Sequence, residues 1–205
     1  MGGNPWIRDI RVIAGGETRV AAAPTVIAQL AALLVATVAA GGSVGFMHPL
    51  PLVEAEDFWS GALASAARGE RTVLGAWEGP LLLGTVTLLH KLPPNQPHRA
   101  EIAKMMTLPP ARGRGVATAL LQAAEALAVQ RGKSLLVLDT AADGGASALY
   151  ERLGYARCGE IPDYALKPHG GLTSTLLYWK RLDPPLIQSA SSASRTSRPS
   201  PSSTL

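Results

Sequence analysis

The sequence predicts an α/β fold in which strands and helices alternate, and three observations carry that reading. A strand-like run over residues 102–108 opens through Arg112-Gly113-Arg114-Gly115 into a long amphipathic helix. That helix stops at Gly132, and Ser134-Leu-Leu-Val-Leu-Asp-Thr140 follows as a fully buried strand ending in polar residues, which completes a βαβ-type unit. Upstream, residues 71–77 and 81–91 read as two strands around the Glu78-Gly79-Pro80 turn, a hairpin signal.

The elements follow in order. A first strand is expected over residues 7–13. Between Arg19 and Glu54 there is no Asp, Glu, Lys or Arg, and residues 26–40 are apolar apart from Gln29 and Thr37. A signal-peptide core with Val38-Ala39-Ala40 as its cleavage site, or a short membrane span, competes there with a buried helix. The dense stretch falls short of the roughly 20 residues a span needs, and cleavage would remove the first strand, which counts against both alternatives. Residues 51–68 predict a second helix with Leu52, Ala55, Phe58, Trp59, Leu63 and Ala66 on one side. Residues 99–108 form the next strand. In the helix after the glycines, Val116, Ala117, Leu120, Leu121, Ala124, Leu127 and Ala128 make a core-facing stripe, with Gln122, Glu125 and Gln130 opposite. Gly132 stands where a left-handed C-terminal cap is expected. Residues 155–159 and 173–181 are the last two strands.

Residues 1–187 read as one domain with a sizeable core, in keeping with a 47% hydrophobic composition. Residues 188–205 differ: Ser, Thr and Pro dominate, large apolar residues are absent until Leu205, and a disordered tail is expected. The net charge of +4 lacks the dense basic face and interleaved aromatics of a nucleic-acid binder. Lys104, Arg112, Arg114, Arg131 and Lys133 are expected to gather around the glycine turn. The single cysteine, Cys158, excludes an intramolecular disulfide, fits a reducing cytoplasm, and reads as a packed strand residue. His48, His90, His98 and His169 show no metal-ligand spacing, and no metal is expected.

Arg112 to Ala117 reads Arg-x-x-Gly-x-Ala between a strand and a helix. Backbone N–H groups at such a helix start, aided by the helix dipole, suit a phosphate or pyrophosphate. A Walker loop ending in Gly132-Lys133-Ser134 fails because Leu127 stands where its first glycine is needed. The dinucleotide fingerprint fails at Thr118, which holds the place of the third glycine.

Pro109-Pro110-Ala111-Arg112-Gly113-Arg114-Gly115-Val116-Ala117 resembles the acetyl-CoA-binding segment of the GNAT family of N-acetyltransferases. Ala146-Ser147-Ala148-Leu149-Tyr150-Glu151-Arg152-Leu153-Gly154-Tyr155 resembles that family's downstream helix-and-strand block. Gly41 to Met47, His98 to Glu101 and Gly159 to Tyr164 narrow the likeness to the family's tabtoxin-resistance branch, across roughly residues 7–182. The resemblance implies the GNAT acyl-CoA N-acyltransferase fold: a mixed twisted sheet of about seven strands, ordered β-α-α-β-β-β-α-β-α-β-β, with helices on both faces.

It also implies the site. Acetyl-CoA is the donor, with backbone groups of Met105, Met106 and Thr107 on its pantetheine and thioester. Residues Gly113, Arg114, Gly115, Val116, Ala117 and Thr118 would hold the pyrophosphate, with Arg112 at the entrance. Tyr150 is the implied general acid, since a phenol that ionises near ~10 stays neutral at pH 7 and can hand a proton to a thiolate. Glu101 is the first choice of base, through water, with Asp139 as its partner or as an anchor for the ammonium. Asp143 stands where the family often has Asn, a departure that removes an amide contact to pantetheine. Gly42, Ser43, Gly45 and Phe46, in a loop between the first two helices, and Asp163 and Tyr164, between the last strands, would border the acceptor. The expected function is cytoplasmic acetylation of a small amine, amino-acid-like or a toxin or antibiotic. Acetylation of protein N-termini or lysines, and a catalytically silent CoA-binding sensor, remain as alternatives. The expected partner is a small molecule, with no nucleic acid and no membrane, and a homodimer stays open.

Overall fold

A computed structural model describes residues 9–15, 18–19 and 24–182. The elements run β1 (Asp9–Gly15), β2 (Thr18–Arg19), α1 (Pro24–Ala39), α2 (Leu52–Ala67), β3 (Arg71–Glu78), β4 (Leu81–Leu89), β5 (Arg99–Thr107) and α3 (Val116–Gln130), then β6 (Leu135–Ala141), α4 (Ser147–Arg152), β7 (Ala156–Leu166) and β8 (Leu172–Arg181). The strands form one sheet in the order β2-β1-β3-β4-β5-β6-β8-β7. Every pairing is antiparallel except β5 with β6, so the sheet is mixed. The expected order holds, with the two-residue β2 added. The expected tail and the first residues of the predicted opening strand lie outside the described residues.

Alternation along the central strands divides the core. On β3, Val73 packs with α1 and α2 on one face, while Leu74 packs with α3 on the other. Leu82 and Leu83 on β4 divide the same way. Sandwiched between helices, β4 is buried from Leu82 to Leu88. Helix α1 is therefore a core helix: Leu30, Leu33, Leu34 and Val38 are almost fully buried. Among the described residues no helix is long and apolar enough to cross a membrane.

Some details depart from the sequence reading. Strand β6 alternates between half-buried and buried positions up to Leu138 and is exposed at Asp139 instead of being buried throughout, because it borders an opening in the sheet. Leu52 is 52% exposed, since it stands at the first position of α2, before the helix meets the core. Glu125, expected to face solvent, is largely enclosed and pairs with Lys180 of β8 at 2.7 Å. Cys158 is exposed, because β7 is the edge strand and few of its residues are covered. Gly132, at φ +70°, closes α3 as expected: its N–H reaches Val129 O and that of Lys133 reaches Ala128 O, the paired bonds of a Schellman cap.

Gly84 shows how tightly this framework holds the start of α3. A Cβ there would meet Met106 O at 2.6 Å and Val116 Cγ1 at 2.9 Å. Gly84→Ala is expected to cost about 1–3 kcal/mol by overpacking. Gly61→Ala on α2, where nothing lies within 4 Å of the new methyl, should be neutral or gain up to about 1 kcal/mol. Urea unfolding of both variants checks the contrast.

Candidate active site

The sheet parts between β5 and β6. Parallel pairing covers only Arg99–Leu135, Ala100–Leu136 and Glu101–Val137. Beyond that point β5 stays with β4 as far as Thr107, and β6 stays with β8 as far as Ala141. The β6-facing edge of β5 after Glu101 thus has no strand partner among the described residues. Strand β5 also carries a bulge: β4 advances from Thr85 to Thr87 while β5 passes from Met106 back to Ala103. Lys104 sits in that bulge at φ +49°, a left-handed conformation rare for a side-chain-bearing residue.

A cavity of about 640 Å³ opens at the parting. Glu101, Asp139 and Tyr150 all line it, so the three residues expected to be catalytic are brought together. Register explains the acids. Glu101 lies opposite Val137, and Asp139 is two residues further along β6, so both carboxylates project from the same face. Glu101 Oε1 is held 2.7 Å from Arg99 Nη1, and Asp139 Oδ2 accepts a hydrogen bond from Thr175 Oγ1 at 3.1 Å. Tyr150 projects from α4 and is 4% exposed, its ring against those of Tyr155 and Tyr178. Burial first, then the negative charge of Asp139, pushes its phenol up to about 12.

The glycine turn, which lies apart from the cavity lining, has the backbone geometry that suits an anion. A short 3-10 turn, Pro109–Ala111, leads through extended Arg112 into Gly113 at φ +75° and Gly115 at φ +81°. Both are backbone conformations that favour glycine. Gly115 is the N-cap of α3 and supplies no side-chain cap, so the first N–H groups of this 15-residue helix stay available to an anion. The Val116 and Met106 side chains are buried in the core, which leaves only their backbone for a ligand. Arg112 is exposed, whereas Arg114 pairs with Glu78 Oε1 at 2.6 Å. The glycines, the uncapped helix start and the unpaired β5 edge fit a pantetheine pyrophosphate.

The basic cluster expected here is not assembled. Arg131 and Lys133 lie at the other end of α3, roughly 22 Å along a helix of this length. Lys133 Nζ donates to Pro97 O at 2.7 Å. Lys104 points into the cavity instead. Of the expected acceptor residues, Ser43, Gly45, Phe46 and Tyr164 line the cavity, while Gly42 and Asp163 do not. Gly42 packs against α1, where a Cβ would meet Thr37 Cγ2 at 2.6 Å. Asp163 and Tyr164 lie within β7, not between strands. They belong to a wide bulge in which three residues, 162–164, oppose the single residue between Thr173 and Thr175. Pro162 has no N–H to give a ladder, and Asp163 turns at φ +50°. Asp143 accepts a hydrogen bond from Thr173 Oγ1 at 2.9 Å, and that bond first, then the facing Lys167 ammonium, holds its carboxyl below the usual range.

Sequence reasoning did not place Lys104, Thr173 and Thr175 at this cavity, although all three line it beside the residues expected to border the acceptor. The threonines gave no local signal, because only the register of β8 against β6 and β7 turns them inward. Lys104 interrupts the apolar run of residues 102–106, a signal that points to the cavity and not to the glycine turn.

Solved structures share this architecture at low identity. An N-acetyltransferase from Staphylococcus aureus Mu50 superposes with a TM-score of 0.67 at 18% identity, covering 85% of this chain and 99% of that one. The ribosomal-protein-alanine N-acetyltransferase from Brucella melitensis does so with a TM-score of 0.68 at 22% identity, over 85% and 99%. The yncA protein from Salmonella typhimurium, solved with its cofactor acetyl-CoA, gives a TM-score of 0.67 at 18% identity, over 89% and 98%. The family model described as Acetyltransferase (GNAT) family matches residues 45–155, a span that contains the parted strands, the glycine turn and Tyr150. With that match over more than half its length, the chain belongs to the acetyltransferase (GNAT) family.

Proposed function

We propose that this acetyltransferase moves an acetyl group from acetyl-CoA to the amine of a small, amino-acid-like acceptor by direct transfer in a ternary complex. The observation that carries the reading is the convergence of Glu101, Asp139 and Tyr150 on one cavity where β5 and β6 part. Acetyl-CoA supplies an activated thioester. Backbone groups of Met105, Met106 and Thr107 on the unpaired edge would hold its pantetheine arm and polarise the carbonyl. The N–H groups from Gly113 to Thr118 would hold the pyrophosphate, with Arg112 at the mouth.

The amine must lose a proton to attack, and Glu101 is the proposed base through water. Asp139 shares its face and would anchor the ammonium before the proton leaves. Tyr150 would give its proton to the departing thiolate. Its burial keeps the phenol neutral over the working range, so that proton is always present. Ser43, Gly45, Phe46 and Tyr164 would enclose the acceptor, with Gly42 and Asp163 shaping the backbone behind them. Resemblance to the tabtoxin-resistance branch makes an amino-acid toxin or antibiotic a proposed acceptor, and detoxification a proposed role.

Release of free CoA thiol, measured against amino acids, amino-acid toxins, simple amines and peptides, tests the reading. Thiol release with small amino compounds and none with peptides is expected; tight acetyl-CoA binding without release for any acceptor would overturn it. Glu101→Gln should lower kcat by about 10²–10⁴-fold and displace the acidic limb of the pH profile. Acetyl-CoA affinity, read by calorimetry, should change little, and its loss would remove Glu101 from the base role. Tyr150→Phe should also cost about 10²-fold or more in kcat. In the wild type, Tyr150 should cause no alkaline fall in kcat until the pH approaches about 12, because its raised pKa preserves the acid form.

A further inference from the structure

We propose that Lys104 selects the acceptor by its anionic group, so that the acceptor is a zwitterion whose carboxylate, or a phosphorus oxyanion in its place, rests on the Lys104 ammonium. The proposal deepens the acceptor-site reading above and depends on it. Lys104 lines the same cavity as Glu101 and Asp139. The bulge in β5 puts it there, through the left-handed turn at its own residue. Its Nζ donates to Val44 O at 2.6 Å and lies 5.7 Å from the Phe46 ring centroid and 5.4 Å from that of Phe58.

What Lys104 lacks is a counter-ion. No carboxylate among the described residues forms an ion pair with it. Burial holds its amine below the ordinary lysine range, and the more distant charge of Asp139 only partly offsets that. An ammonium withdrawn from water gains strongly from an arriving anion, because the dielectric screening between them is weak. Val44 O takes one of its three donors. The cavity therefore presents acids on the parted strands and one cation under the 43–47 loop. That pattern matches an acceptor carrying an ammonium at one end and an oxyanion at the other. An acceptor with an amine alone would leave the Lys104 ammonium without a direct ion pair.

The test uses the full chain and matched probes: amino acids, the amines formed by their decarboxylation, and the corresponding aminoalkylphosphonates. Thiol release gives kcat/KM, and calorimetry in the presence of desulfo-CoA gives affinity without turnover. The wild type should favour the anion-bearing member of each pair by about 10- to 100-fold, the range of a charge-assisted hydrogen bond. The phosphonate arm shows which oxyanion fits better. Lys104→Met should erase that preference by raising KM for the anionic member alone, and Lys104→Arg should retain most of it. An equal loss for both members in Lys104→Met would make Lys104 only a strut for the loop and overturn the proposal. Wild-type indifference to the carboxylate would overturn it without any variant. If no probe releases thiol yet anionic probes bind and Lys104→Met abolishes that binding, the selection stands and the transfer reading fails.

Discussion

Everything at the site depends on the sheet coming apart after three paired residues. Had β5 and β6 continued in register past Glu101 and Val137, their backbone groups would have satisfied one another and no cavity would exist. The two halves are each anchored elsewhere, β5 to β4 and β6 to β8, so the parting is stable without contact across it. The bulge at Lys104 reinforces the separation by bending β5 where the pairing ends. Gly84 allows the far end of β5 and the first turn of α3 to pack closely on β4. One geometric decision thus sets the unpaired edge, the helix start and the separation of the acids.

The electrostatics of the cavity follow from the same geometry. Asp139 lies past the end of the pairing, where it acts on both Tyr150 and Lys104. It favours the neutral phenol and the charged ammonium together, so each group tends toward the form that can donate a proton or a hydrogen bond. Burial works with Asp139 at Tyr150 and against it at Lys104. The phenol is thereby fixed as neutral, while the ammonium stays sensitive to what enters beside it.

The sequence made the local parts of this structure legible. The Gly113–Gly115 turn, the α3 stripe, the Gly132 cap and the Glu78-Gly79-Pro80 hairpin each depend on residues within a few positions of one another, and each stands as read. The order of elements followed, as did the convergence of Glu101, Asp139 and Tyr150. The misreadings share a cause. Cys158 is exposed because β7 is an edge, Glu125 is enclosed because Lys180 arrives from β8, and β6 is half open because β5 leaves it. Strand order and pairing length are long-range facts, and no short window contains them.

The same distinction separates the donor side from the acceptor side. An anion cradle is made of backbone N–H groups, so it needs glycines at fixed spacing and leaves a motif. The proposed acceptor wall is made of side chains from the 43–47 loop, from β5, and from β7 and β8, brought together across more than a hundred residues. Its key turns, at Lys104 and Asp163, use positive φ at residues that do not announce it. Such turns persist only where surrounding pairing holds them, so a single substitution in the bulges would re-aim the wall without touching the cradle. A fold arranged this way can keep one side while the other changes, which is why the glycine turn carries a motif and the proposed acceptor selection falls to Lys104.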